Sequence, residues 1–172
     1  MRRKHRPVYH LIRGAGDMSD HELSPHDESY AEKFAQEVSK SRQSQHNAQH
    51  QFVISEKLKE QQAPAQWHQI RESLKRRVQL INSKLETPII EWEGHRNFHA
   101  TIKPVGSTVV VTAAFNESTF VIDVEGLNGP ALKKMYVPDV RDGKFCFACF
   151  GKPVTNEDIV SFLVDMLKPY VK

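Results

Sequence analysis

The sequence predicts an α+β fold: an antiparallel five- or six-stranded sheet, with an N-terminal helix and a C-terminal helix packed on one of its faces, preceded by a polar helical arm. Three changes of pattern predict it. Apolar residues recur every three or four positions over residues 64–85, they alternate with polar ones over 89–150, and helical spacing returns after Thr155. The chain divides into a flexible tail at 1–23, the polar arm at 24–62 and a compact domain at 63–172. The division follows the apolar content: 19 apolar residues fall in 1–63 and 48 in 64–172. Only the second part has enough apolar surface to offset the entropy of ordering the chain.

The tail is basic, then acidic. Arg2, Arg3, Lys4, Arg6 and Arg13 all precede the first acid, and Asp17, Asp20, Glu22, Asp27, Glu28 and Glu32 follow with no base among them. The net charge of +3 is too small to argue for nucleic acid by itself. The tail residues Arg2, Arg3, Lys4 and Arg6 are the better candidates, because a cationic arm contacts phosphates without fixed geometry. A solubilising terminus is the simpler reading of the same residues.

Ser24-Pro25 followed by Asp27 and Glu28 predicts a helix start, with a capping hydroxyl, a proline in the first turn and acids at the positive end of the dipole. Tyr30, Phe34 and Val38 stand one turn apart. Residues 39–51 then hold a single apolar residue, Ala48, so either a helix runs through with nothing to bury or two helical pieces flank a polar link. Ala63-Pro64 punctuates the start of the next helix. Its residues Trp67, Ile70, Leu74, Val78, Ile81 and Leu85 fall within roughly an 80° arc. Thr87-Pro88 ends it, since a residue before proline avoids the helical region.

Strands are expected at 89–92, 97–103, 108–115, 119–125, 134–141 and 144–150. Asp142-Gly143 is a two-residue hairpin signal, and Pro138 marks its strand as an edge or bulged. Thr155 and Asp158 form a near capping box for a helix over 156–170. Ile159, Phe162, Leu163, Met166 and Tyr170 make one stripe on it, and Val160, Val164, Leu167 and Val171 a second. Together they span roughly 200°, more than one sheet face needs. The second stripe meets either the Trp67 helix or a partner, and Val160, Val164, Leu167 and Val171 are the candidate partner-binding residues.

No motif for catalysis, phosphate binding or calcium is present. Cys146 and Cys149 form a C-x-x-C, but residues three apart on a strand point to opposite faces, which suits two structural thiols better than a redox pair. His46 and His50, and Glu91, Glu93, His95 and His99, have spacings that a metal could use. Neither set is complete, so no metal and no cofactor are assigned. The absence of a long apolar run argues against a membrane span, and the absence of a basic-then-apolar leader argues against secretion. With two cysteines, a reducing cytoplasmic location is the default. The leading expectation is a non-enzymatic binding module acting through protein contacts, self-association included. The alternatives are a nucleic-acid-associated protein using the tail, and an enzyme or ligand carrier with a pocket lined by Trp92, Phe98, Phe120, Phe145 and Phe147.

Overall fold

The computed structural model describes residues 25–94, 97–129 and 132–171. A long helix α1 (Pro25–Ser83) leads into seven strands: β1 (Ile90–Glu93), β2 (His99–Pro104), β3 (Val110–Asn116), β4 (Val121–Leu127), β5 (Lys133–Arg141), β6 (Lys144–Cys149) and β7 (Lys152–Val154). Helix α2 (Asn156–Asp165) and a 3-10 turn over Lys168–Tyr170 follow. The strands pair in sequence order, each antiparallel to its neighbour, in one seven-stranded meander.

The sheet therefore has one strand more than expected. The extra strand, β7, is three residues long and carries Pro153, too short for an alternation to show. It turns back on β6 through Phe150-Gly151, where both residues have positive φ (50° and 72°), as a tight two-residue hairpin requires. The Asp142-Gly143 hairpin is as expected, with φ of 51° and 71°. Pro138 is not on an outer strand. It lies on β5 beyond the last residue paired to β4, where the strand bonds only to β6, so its missing N–H faces a local edge.

The expected break at Pro64 is absent, because Pro64 lies inside α1. A proline costs a helix one backbone hydrogen bond, but Ala63 and Trp67 on either side are buried in the core and hold the chain in place. Residues 39–51 are helical without a buried face, and Gln, Lys, Arg and Ala are adequate helix formers there. Contacts separate the chain into Met1–His46 and Asn47–Lys172. In the first unit the described residues from 28 onward are exposed except half-buried Val38. The second unit begins ahead of residue 63 because Leu58 packs against the core.

That core lies on one face of the sheet. Trp67, Ile70, Leu74 and Val78 of α1 and Ile159, Val160, Leu163 and Val164 of α2 join Ile102, Val111, Phe115, Ile122, Val124 and Phe147 from the strands. The α2 cap is a full capping box: the Asp158 N–H donates to Thr155 Oγ1 (3.1 Å) and the Thr155 N–H donates to Asp158 Oδ2 (2.8 Å). The Thr155 hydroxyl, which donates to Asp158 Oδ2 (2.7 Å), and then the Thr155 N–H hold the Asp158 carboxyl below its ordinary pKa. Helix α2 stops at Asp165 rather than near 170, since Pro169 cannot supply a helical N–H.

One core residue is imperfectly accommodated. Tyr136 is 1% exposed and packs edge-on to Phe162 (ring centroids 6.4 Å apart), but its hydroxyl has no partner among the described residues. Burial raises its pKa well above the usual tyrosine value, with the Cys149 and Asp158 charges adding to it. Removing an unsatisfied buried hydroxyl while keeping the ring relieves its desolvation, so Tyr136→Phe is expected to stabilise the chain by about 1 kcal/mol. Urea unfolding of the two proteins checks this, and a less stable variant would mean that the hydroxyl is satisfied after all.

Candidate interaction surface

Among the described residues no helix packs on the other face of the sheet, and its chemistry changes from one side to the other. On β1 to β4 it is largely charged and hydroxylic, with Leu127, 63% exposed and opposite Val110, as an apolar exception. Lys103 reaches Glu91 (3.0 Å) and Glu93 (2.7 Å), Thr101 meets Thr112 (3.3 Å), and Glu125 pairs with Lys133 (2.7 Å). Lys103 is raised in pKa by Glu93 and then Glu91, and Lys133 by Glu125. These are cross-strand pairs in solvent, modest in energy and already matched.

On β5 and β6 the same face is mixed, with Asp139, Arg141 and Lys144 toward the hairpin and Met135, Val137 and Ala148 beyond them. Met135 is 52% exposed and Val137 37%. Val137 lies opposite Ala148, and Ala148 opposite Pro153, so strand register sets these residues in one row. Phe150, at the β6–β7 turn, is 92% exposed. It also sits in left-handed backbone, a conformation that costs a bulky side chain about 1 kcal/mol or more. Phe120 adopts a similar φ of 57°, but there the ring is half-buried and lies 6.4 Å from Phe115. Phe150 accepts the same backbone and gains no such contact.

The expected partner-binding residues occupy a different place. Val160 and Leu167 have no exposed surface, Val164 is 8% exposed and Val171 is half-buried against the core. Of the two coverings expected for that stripe, the chain itself supplies one. The wide apolar arc of α2 has two neighbours within the chain, the sheet and α1. Arg77 of α1 pairs with Glu157, and Asn156 Nδ2 donates to Gln69 Oε1 (3.3 Å). Arg2, Arg3, Lys4 and Arg6, with Ser24 and His95, lie outside the described residues.

Cys146 and Cys149 are both free. They point to opposite faces of β6, Cys146 half-buried opposite Asp139 and Cys149 buried in the core. Burial raises the Cys146 thiol, and Asp139 raises it further, which leaves it a poor nucleophile. Among the described residues no three His, Cys, Asp or Glu side chains gather as a metal would need. None of the helices among those residues is long and apolar enough to cross a membrane.

The five aromatics expected around a pocket do not share one. Phe145 and Phe147 pack edge-to-face in the core at 5.3 Å. Phe98 lines a groove of about 380 Å³ with Pro64, Trp67, His68, Arg71, Asn97, Phe115 and Glu117, and Phe145 lines a separate one beside Cys146 and Val154. Two of the Phe98 groove's donors are already spent, since Trp67 Nε1 (2.8 Å) and Arg71 Nη1 (3.1 Å) both donate to the Asn97 carbonyl.

Strand alternation alone does not single out this part of the face, in which Met135 and Val137 are exposed and Ala148 is buried. A signal for it existed: Met135-Tyr136-Val137 is apolar at three successive positions, so a strand there presents apolar side chains to both faces. The fold and this surface define the chain as an α+β protein with two helices on one side of an antiparallel meander. Protein-family models, curated proteins and solved structures all give no match to the chain.

Proposed function

We propose that the chain is a non-enzymatic binding module that acts through protein contacts, self-association included, and that it docks partners on the β5–β7 side of the open sheet face. The observation that carries this reading is Phe150, which is strained and almost fully exposed at the end of an apolar row. A residue that departs from local backbone preference and returns no packing energy is a candidate for function. Exposed apolar and aromatic side chains on a rigid strand supply contact area at small entropic cost. The two free cysteines suit a reducing cytoplasmic location, which belongs to the same proposal.

The test separates binding from folding. Phe150→Gly removes the ring and the backbone strain together, so the variant is expected to be more stable by about 1 kcal/mol while losing association. Affinity capture with the intact chain and sedimentation across concentration read the association, and thermal unfolding reads the stability. A variant that captures the same proteins and sediments as the parent does would remove the proposal.

A further inference from the structure

The chain presents a knob and a groove that it does not itself bring together. The knob is Phe150, 92% exposed at the β6–β7 turn. The groove, about 520 Å³, lies between α1 and the Asp142-Gly143 hairpin, which closes the other end of β6. All of its lining belongs to the unit Asn47–Lys172. Ala48, Phe52 and Ile54 come to it from α1 and Val140 from β5. Phe52 and Ile54 are exposed, whereas Leu58, further along α1, packs against the core. Large apolar side chains left open on a groove gain from a partner that removes them from water.

We infer that this groove receives Phe150 of a second copy in a head-to-tail contact, which rests on the reading of Phe150 as a docking residue and names its partner. Size agrees. An apolar void of about 150 Å³ already holds a benzene ring, so the groove has room for a phenyl side chain. Charge agrees as well. Among the described residues Asp142 is the one charged residue on the groove's lining, and Lys152 is the one charged residue within two positions of Phe150. Both are exposed, and neither forms an ion pair among the described residues. Arg141, beside Asp142, is held instead by Asp139 (2.8 Å) and donates to the Gly151 carbonyl. A lysine that arrives with the ring therefore meets a carboxylate of opposite sign.

Knob and groove are different patches, so the contact is heterologous, with each copy offering both halves. Pairing of sheet edges is a poorer route on this side. Strand β7, the outer strand next to Phe150, carries Pro153, which has no N–H to give a further strand.

Sedimentation of the intact chain across concentration tests the inference through two variants, with circular dichroism as the check on folding. Ala48→Lys/Phe52→Lys puts charge into the groove. Both positions are exposed and lysine is a good helix former, so the fold is expected to persist. Phe150→Gly removes the knob and leaves the groove. Each variant alone is expected to self-associate at least about tenfold more weakly than the parent. An equimolar mixture of the two is expected to form a one-to-one complex, because one variant keeps the ring and the other keeps the groove. A mixture that stays monomeric overturns the inference, as does a parent that is monomeric throughout the range. If the groove variant associates as the parent does while Phe150→Gly does not, the groove is the wrong site and Phe150 remains a docking residue. If Phe150→Gly itself associates as the parent does, both readings fall.

Discussion

Trp67→Ala is expected to cost about 4 kcal/mol of unfolding free energy, the middle of the range for truncating a buried aromatic. The indole is 3% exposed and lies nearly parallel to the Phe115 ring, 12° between planes and 5.7 Å between centroids. It joins α1 to β3 across the centre of the core. Two effects contribute, and they differ in size. The hydrogen bond from Nε1 to the Asn97 carbonyl is the smaller, because Arg71 Nη1 donates to the same oxygen and remains after the substitution. Lost apolar burial and the cavity left beside Phe115 are the larger. Trp67→Phe, which keeps the stack and drops only the N–H, is therefore expected to cost about 1–2 kcal/mol. Urea unfolding followed by circular dichroism gives both values. Equal losses in the two variants would show that the hydrogen bond, not packing, joins helix to sheet. Against a typical total of about 5–15 kcal/mol, the alanine variant is left marginal or unfolded.

Trp67 was legible in the sequence because its neighbours in the core recur along one side of a single helix, and that periodicity is local. The same holds for the six longer strands, for Asp142-Gly143, and for the Thr155–Asp158 box. What was not legible depends on contacts distant in sequence. Pro64 reads as a helix break, and only the burial of Ala63 and Trp67 against the sheet reverses it. The second stripe of α2 leaves two coverings open, the Trp67 helix or a partner, and the sequence alone does not choose between them. The β6–β7 turn was missed for another reason. Phenylalanine is not a turn residue, so nothing local marks Phe150-Gly151 as one. The mismatch that hid the turn is the same one that makes Phe150 a candidate for function. Local rules located the scaffold, and the proposed binding surface lies where a local rule is broken.

The edge of the sheet offers a second large effect. Asn82→Ala is expected to cost about 3 kcal/mol, roughly 1 for each of three hydrogen bonds. Ile89 gives its carbonyl to the Val105 N–H (3.0 Å), so in the antiparallel alternation the next residue, Ile90, turns its N–H and carbonyl away from β2. An outer strand usually leaves such groups to water or to another chain. Here one amide side chain takes them. Asn82 Oδ1 accepts from the N–H groups of Ile89 (3.0 Å) and Ile90 (3.2 Å), and Nδ2 donates to the Ile90 carbonyl (2.7 Å). Asn82 belongs to the last turn of α1, so it ties the end of the helix to the first strand and closes the sheet's edge at the same point. Ile90 is buried and Asn82 half-buried, so water does not simply replace the amide. Amide hydrogen exchange distinguishes this account from a general loss of stability. In Asn82→Ala the Ile89 and Ile90 amides should exchange faster than the drop in global stability explains, while amides of β3 and β4 follow that drop alone. If all of these amides shift together, or if the variant unfolds within about 0.5 kcal/mol of the parent, the amide does not hold the edge.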